Sequence, residues 1–223
     1  MSSGTQRPYV VAHVAVSLDG ATTGFQPDLA LFYGLAQTWN EDLTLTGSDT
    51  ILAQEAALAA TETATEAGAE AGAGAGGPGP AAGRPLLAVV DGRGRVTRWE
   101  ALRQAGHWSD VVALHSHATP PRPPDRPVRE LVTGTDRVDL ADALRTLARD
   151  DGISVVRVDS GGRLIGALLA GGLLDEVSLL VHPCLAGERA TRYWYGDRPA
   201  AAPLTLVAAQ SLPDGLVWLR YRT

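Results

Sequence analysis

Apolar residues in this chain come in short runs divided by polar turns, and the runs alternate between two spacings. Tyr9–Val16 (YVVAHVAV) is almost continuously apolar and predicts a buried strand. Asp28–Trp39 places Leu29, Phe32, Tyr33, Leu35, Ala36 and Trp39 at helical intervals. A short strand over Asp42–Thr46 and a helix from Asp49 follow. Leu86–Val90, Val111–Leu114, Val128–Val132, Ile153–Val158 and Glu176–Val181 read as further strands. Helices are expected over Thr97–Ala105, from Asp139 as a capping residue, and over Leu164–Ala170. Leu204–Gln210 and Leu216–Tyr221 flank Pro213-Asp214-Gly215, a hairpin turn signal. Repeated strand-helix-strand units predict an α/β fold: a mostly parallel sheet with helices on both faces and an antiparallel hairpin at the C-terminal end.

Two segments break the pattern. Ala and Gly dominate from about residue 56 to 84, ending in Gly76-Gly77-Pro78-Gly79-Pro80. That composition has nothing to bury and predicts a flexible insertion at about 62–84, within a single domain spanning 1–223. Thr119–Pro127 carries five prolines and should be an extended loop.

Composition narrows the chemistry. The chain has 223 residues, 45% of them hydrophobic, which is enough for a core. Its net charge of −6 argues against a nucleic-acid partner. All 19 basic residues are Arg, which excludes a Schiff-base lysine and a lysine-bearing phosphate loop, and leaves planar forks suited to phosphate. The lone cysteine, Cys184, excludes an internal disulfide and a cysteine zinc site. No apolar run approaches ~18 residues, so no membrane span is expected, and the reading is a soluble cytoplasmic protein.

Three turns could carry chemistry. Thr46-Gly47-Ser48-Asp49-Thr50 stands between a strand and a helix, where free N–H groups and hydroxyls either bind a phosphate or simply cap the helix. Asp159-Ser160-Gly161-Gly162-Arg163 repeats that arrangement, with two glycines that suit either a pyrophosphate or a tight turn. Two such turns fit a dinucleotide across the carboxyl ends of parallel strands, although the usual GxGxxG fingerprint is absent. Ser17-Leu18-Asp19-Gly20 ends the first strand, where Asp19 orients a substrate or builds an Asp-Gly turn. Ser116 and arginines near the end of the Val111–His117 segment are candidates for a 2′-phosphate.

These turns, followed by Gly172-Leu173-Leu174-Asp175-Glu176-Val177 and Pro183-Cys184-Leu185-Ala186-Gly187, occur in an order that resembles the reductase domain of riboflavin biosynthesis, a branch of the dihydrofolate-reductase-like superfamily. The resemblance runs from about Arg7 to Arg222. It implies NADPH as hydride donor, no metal, a small-molecule substrate and a homodimer. Carried over by position, Thr46, Gly47, Ser48 and Thr50 would contact the cofactor phosphates. Gly161 and Gly162 would let the pyrophosphate approach, across a peptide bond that is often cis in the superfamily, with Arg163 and Leu164 beside it. Ser17 and Asp19 would face the nicotinamide and substrate, with Asp19 as a proton source through water, and Asp91 would contact the substrate. Two positions depart from the family pattern: Ala21 stands where a basic residue is common, and Ser160 where Glu is common. These changes fall on the substrate end. The expectation is therefore an NADPH-dependent reductase of a C=N or C=O bond in a small heterocycle. Alternatives are the phosphoribosylaminouracil-type reductase itself and a non-catalytic nucleotide-binding relative.

Overall fold

In chain order the strands are β1 (Tyr9–Ser17), β2 (Leu43–Gly47), β3 (Leu86–Val90), β4 (Val111–His115), β5 (Arg129–Val132), β6 (Val155–Val158), β7 (Glu176–His182), β8 (Thr205–Ser211) and β9 (Val217–Arg222). The helices are α1 (Leu29–Ala36), α2 (residues 48–54), α3 (Trp99–Gln104), α4 (Leu140–Asp151) and α5 (Gly162–Ala170). The structure is a computed structural model that describes residues 7–54, 83–123, 128–196 and 203–223. Most of the insertion expected at 62–84 and the end of the proline-rich loop lie outside the described residues.

The strands make one sheet in the order β5-β4-β3-β2-β6-β1-β7-β9-β8, parallel from β5 to β7 and antiparallel at β9 and β8. The α/β architecture read from the sequence is thus the observed one. Strand alternation sends Val10, Ala12, Val14 and Val16 of β1 to one face, under Leu144 and Leu147 of α4 and Ile165 and Leu168 of α5. The other face is covered in two patches. Phe32 of α1 packs on Leu180, while Ile51 of α2 and Trp99 of α3 pack on Leu87 and Val89. Strands covered on both sides are mostly apolar, and β4 is buried at all five positions, four of them apolar and the fifth His115.

The ends of the elements follow local chemistry. Asp28 caps α1 by accepting from Leu31 N at 2.9 Å, and Asp139 caps α4 by accepting from Asp142 N at 2.9 Å. The Asp175-Glu176 pair is structural: Asp175 accepts from Val10 N and both Arg7 Nη atoms, and Glu176 takes Arg220 and Tyr9. Between α1 and α2 the sheet face turns polar. Buried Arg157 donates to Glu41 at 2.6 Å and to Asp159 at 3.2 Å. His13 bonds to Ser178 Oγ and Phe32 O, and burial pushes its pKa down to about 4, so it is neutral at pH 7.

Candidate functional site

The carboxyl ends of β2, β3 and β6 open into a cavity of about 680 Å³. Its floor comes from the two glycine turns. Gly47, Ser48 and Thr50 enter from the start of α2, and Gly161 to Leu164 from the start of α5. Ser160 fastens the turns together, since its Oγ accepts from Gly47 N at 3.1 Å and lies 3.4 Å from Thr50 Oγ1. No side chain caps α5; its N-cap is Gly161, at φ −75° and ψ 170°. A Cβ on Gly161 would meet nothing within 4 Å, so its backbone borders open space. Such a helix start, with free N–H groups toward a cavity, suits an anion.

One wall is the turn after β3. Asp91 is fully buried, and its oxygens accept from Arg95 N at 3.0 Å and Val96 N at 2.9 Å. That turn aims Arg93 and Arg95 into the cavity. Arg95 Nη2 reaches Ser48 Oγ at 2.9 Å and Asp49 Oδ1 at 2.5 Å. Asp49 also lies 3.6 Å from Arg163, and the Arg95 guanidinium holds its carboxyl below the usual carboxylate range. The opposite wall is a strap, residues 191–196, which brings Arg192 and Tyr193. Five arginines (93, 95, 137, 163 and 192) and two aspartates (49 and 136) line the cavity, an excess of positive charge inside a chain whose net charge is −6. Concave shape with a concentrated charge opposite to that of the whole molecule selects for an anionic ligand.

The strap explains the second glycine. A Cβ on Gly162 would run into Tyr193 O and come within 2.5 Å of Gly196 N, and one on Gly166 would lie 2.5 Å from Tyr195 O. Gly162, which also lines the cavity, therefore has no room for a side chain beside the strap, whereas a Cβ on Gly161 would enter open space. The expected cis peptide is not found, for the described residues contain none.

Several expected site residues lie elsewhere. Ser17 donates to Asp19 at 2.5 Å, and Asp19 also accepts from Ala186 N at 3.1 Å and Gly187 N at 3.0 Å. These three donors, Ser17 first, hold Asp19 down to about 2. Through these bonds Asp19 ties the turn after β1 to the loop after β7. Ala21 is buried in a bridge with Tyr193 of the strap. Asp91 is likewise withdrawn, because both its oxygens are used by its own turn. Thr46 is buried below the cavity rim, with a hydroxyl that has no hydrogen-bond partner. Ser116 bonds within its own turn to Thr119 and lines a separate cavity.

Sequence reasoning missed Arg93, Arg95, Arg137, Arg192 and Tyr193. The signal for two of them was present in Asp91-Gly92-Arg93-Gly94-Arg95, an Asp-Gly turn directly after a strand.

The protein is an α/β sheet with a concave, arginine-lined cavity at the carboxyl ends of parallel strands, where the sheet order departs from chain order. Residues 8–218 match the RibD C-terminal domain, and the chain belongs to that family and, with it, to the oxidoreductases. It is 30% identical over 199 residues to the 2,5-diamino-6-ribosylamino-4(3H)-pyrimidinone 5′-phosphate reductase of Archaeoglobus fulgidus, covering 82% of this chain and 84% of the relative. Among solved structures, RibD of Acinetobacter baumannii superposes with a TM-score of 0.69 at 23% identity, over 99% of this chain; the chain spans 58% of that longer one. A pyrimidine reductase-like protein of Corynebacterium diphtheriae gives a TM-score of 0.68 at 17% identity, over 100% of this chain and 94% of its own.

Proposed function

We propose that the protein is a reductase that binds NADPH in the arginine-lined cavity and delivers hydride to a small heterocyclic substrate, such as the ribosylaminopyrimidinone phosphate for which its relatives are named. The observation that carries this reading is the excess of arginines around the open Gly161 turn. The residues fit a dinucleotide. The start of α5 and Arg163 suit the pyrophosphate, and Ser48 and Thr50 offer hydroxyls beside it. The dinucleotide supplies the hydride when bound. The chain's own part is to orient it, with α5 and the strap fixing one side and Asp49 bridging Arg95 and Arg163.

The sheet runs unbroken through nine strands, which supports one domain. We read the protein as a homodimer, because the edge strand β8 is exposed almost throughout, with Leu206 at 55% and Val207 at 45%. A cytoplasmic location suits the unpaired Cys184. No described helix is long and apolar enough to cross a membrane.

The test is to mix the protein with NADPH and the pyrimidinone phosphate and follow NADPH absorbance. The account expects substrate-dependent consumption of NADPH with formation of the ribitylamino product. NADPH that binds and is never consumed, with this substrate or its dephosphorylated form, would contradict a reductase acting on this class.

A further inference from the structure

The strap on one side of the cavity is held by the segment between β1 and α1. Trp194 N donates to Gly20 O at 3.3 Å, Thr22 N to Arg192 O at 2.9 Å, and Thr191 N to Thr23 Oγ1 at 3.1 Å. Gly24 lies so close to the next stretch of chain that a Cβ there would come within 2.8 Å of Arg189 O. The far end of the same segment is fastened to the sheet by one bond. Asp28 N donates at 3.0 Å to Nε2 of His182, the last residue of β7. Phe25, midway along the segment, lies against the imidazole, with ring centroids 5.0 Å apart.

The main chain fixes the protonation state of that ring. A backbone N–H only donates, and a backbone carbonyl only accepts. Asp28 N therefore requires a bare Nε2, and Leu180 O, 3.2 Å from Nδ1, requires the proton on Nδ1. Only the neutral imidazole satisfies both. A second proton would set Nε2–H against Asp28 N–H beside a ring that is buried, where an orphaned donor is costly.

We propose that His182 is a proton-sensitive latch: neutral, it holds the segment between β1 and α1, and through it the strap, against the cavity; protonated, it releases both. The inference goes beyond the reductase reading and needs no ligand.

Ionisable groups stand on several sides of the ring. Asp28 is at the start of α1, where its carboxyl accepts from Leu31 N. Ser17, opposite His182 on β1, donates to the Asp19 carboxylate. Cys184, two residues on, gives its N–H to His182 O. Asp214 belongs to the hairpin turn whose Gly215 approaches Pro183. A carboxylate accepts from a charged ring, but it leaves Asp28 N without its acceptor. Only the released form takes up the proton without losing that bond, so the latch holds at neutral pH and acid favours release. Histidine changes charge in the mildly acid range. Burial pushes His13 down to about 4 and lowers His115 as well, so both of these buried rings resist protonation there.

The test is hydrogen exchange by NMR on the whole chain at about pH 7.5 and about pH 5.5, corrected for the intrinsic effect of pH. It compares the wild type with His182→Gln, whose amide oxygen accepts at either pH. In the wild type, protection at the N–H groups of Asp28, Thr22 and Thr191 should fall on the order of 10-fold at the lower pH, as for one lost buried hydrogen bond, while β4 keeps its protection. His182→Gln should hold its protection at both. Nitrogen spectra of the wild type should show a bare Nε2 on His182 at the higher pH and protons on both ring nitrogens at the lower, over the range in which protection is lost; that result stands without the variant. Protection at Asp28 that ignores pH, an equal fall in a folded His182→Gln, or a proton on Nε2 at the higher pH would each overturn the proposal. So would a fall confined to Asp28, because the strap would then be indifferent to the latch.

Discussion

Gly162→Ala should cost about 3 kcal/mol of folding stability, the upper range for forcing atoms into a packed site, although it adds a single methyl group. The new Cβ points at backbone atoms on the strap, Tyr193 O and Gly196 N, and backbone has no rotamer by which to move aside. The strap is itself fixed, because Tyr193 is bridged to Ala21 and Gly196 N donates to Tyr193 O at 3.1 Å. Thermal unfolding should show a loss on the order of 10 °C, at roughly 2–4 °C per kcal/mol for a chain of this size. Gly161→Val is the control. Its φ of −75° and ψ of 170° suit any residue, and its Cβ enters open space, so stability should hold while NADPH affinity falls. The reverse pattern, a stable Gly162→Ala and an unfolded Gly161→Val, would contradict the assignment of one glycine to the strap and the other to the cavity.

Arg157→Ala should be the other large loss. The guanidinium is 7% exposed and lies between Glu41, 12% exposed, and Asp159, 27% exposed. Removing it leaves two carboxylates facing each other across a site with little water, and breaking a buried ion pair in this way costs roughly 3–5 kcal/mol. Asp159 also leads directly into Ser160, which joins the two cavity turns, so the damage should reach cofactor binding. Urea unfolding measures the loss. Arg157→Met combined with Glu41→Gln should recover part of it, because fewer charges are then left unpaired. A single variant within about 1 kcal/mol of wild type would mean that solvent screens the cluster, as it does at a surface.

Much of the fold was legible in the sequence. A parallel strand covered on both faces is apolar at most positions, so β1, β3 and β4 stand out as runs despite His13 and His115. The errors there are at the ends: β6 starts at Val155, where the apolar run begins at Ile153, and α5 starts at Gly162, where the pattern pointed to Leu164. Strand ends are set by pairing: Val155 is the first residue of β6 opposite β1, whereas Ser154 accepts from Tyr9 N and gives its own N–H to the Asp42 carboxylate. The site was less legible. The glycine turns were found because a strand-to-helix junction has a local signature. The strap was not, because residues 191–196 have no periodicity and owe their position to Gly162 and Gly166, almost thirty residues earlier. Asp19 and Asp91 were read as facing a substrate, whereas their oxygens are taken up by backbone N–H groups of loops. An Asp followed by Gly at a strand end carries the same sequence signal in either role.

The central claim is that the cavity between α2, α5 and the strap is the dinucleotide site. A crystal structure of the protein with NADP⁺ tests it most directly. The account predicts the pyrophosphate within hydrogen-bond distance of the first N–H groups of α5 and in van der Waals contact with Gly161. A dinucleotide seated outside this cavity, or lying in it with its pyrophosphate away from Gly161, would contradict the claim.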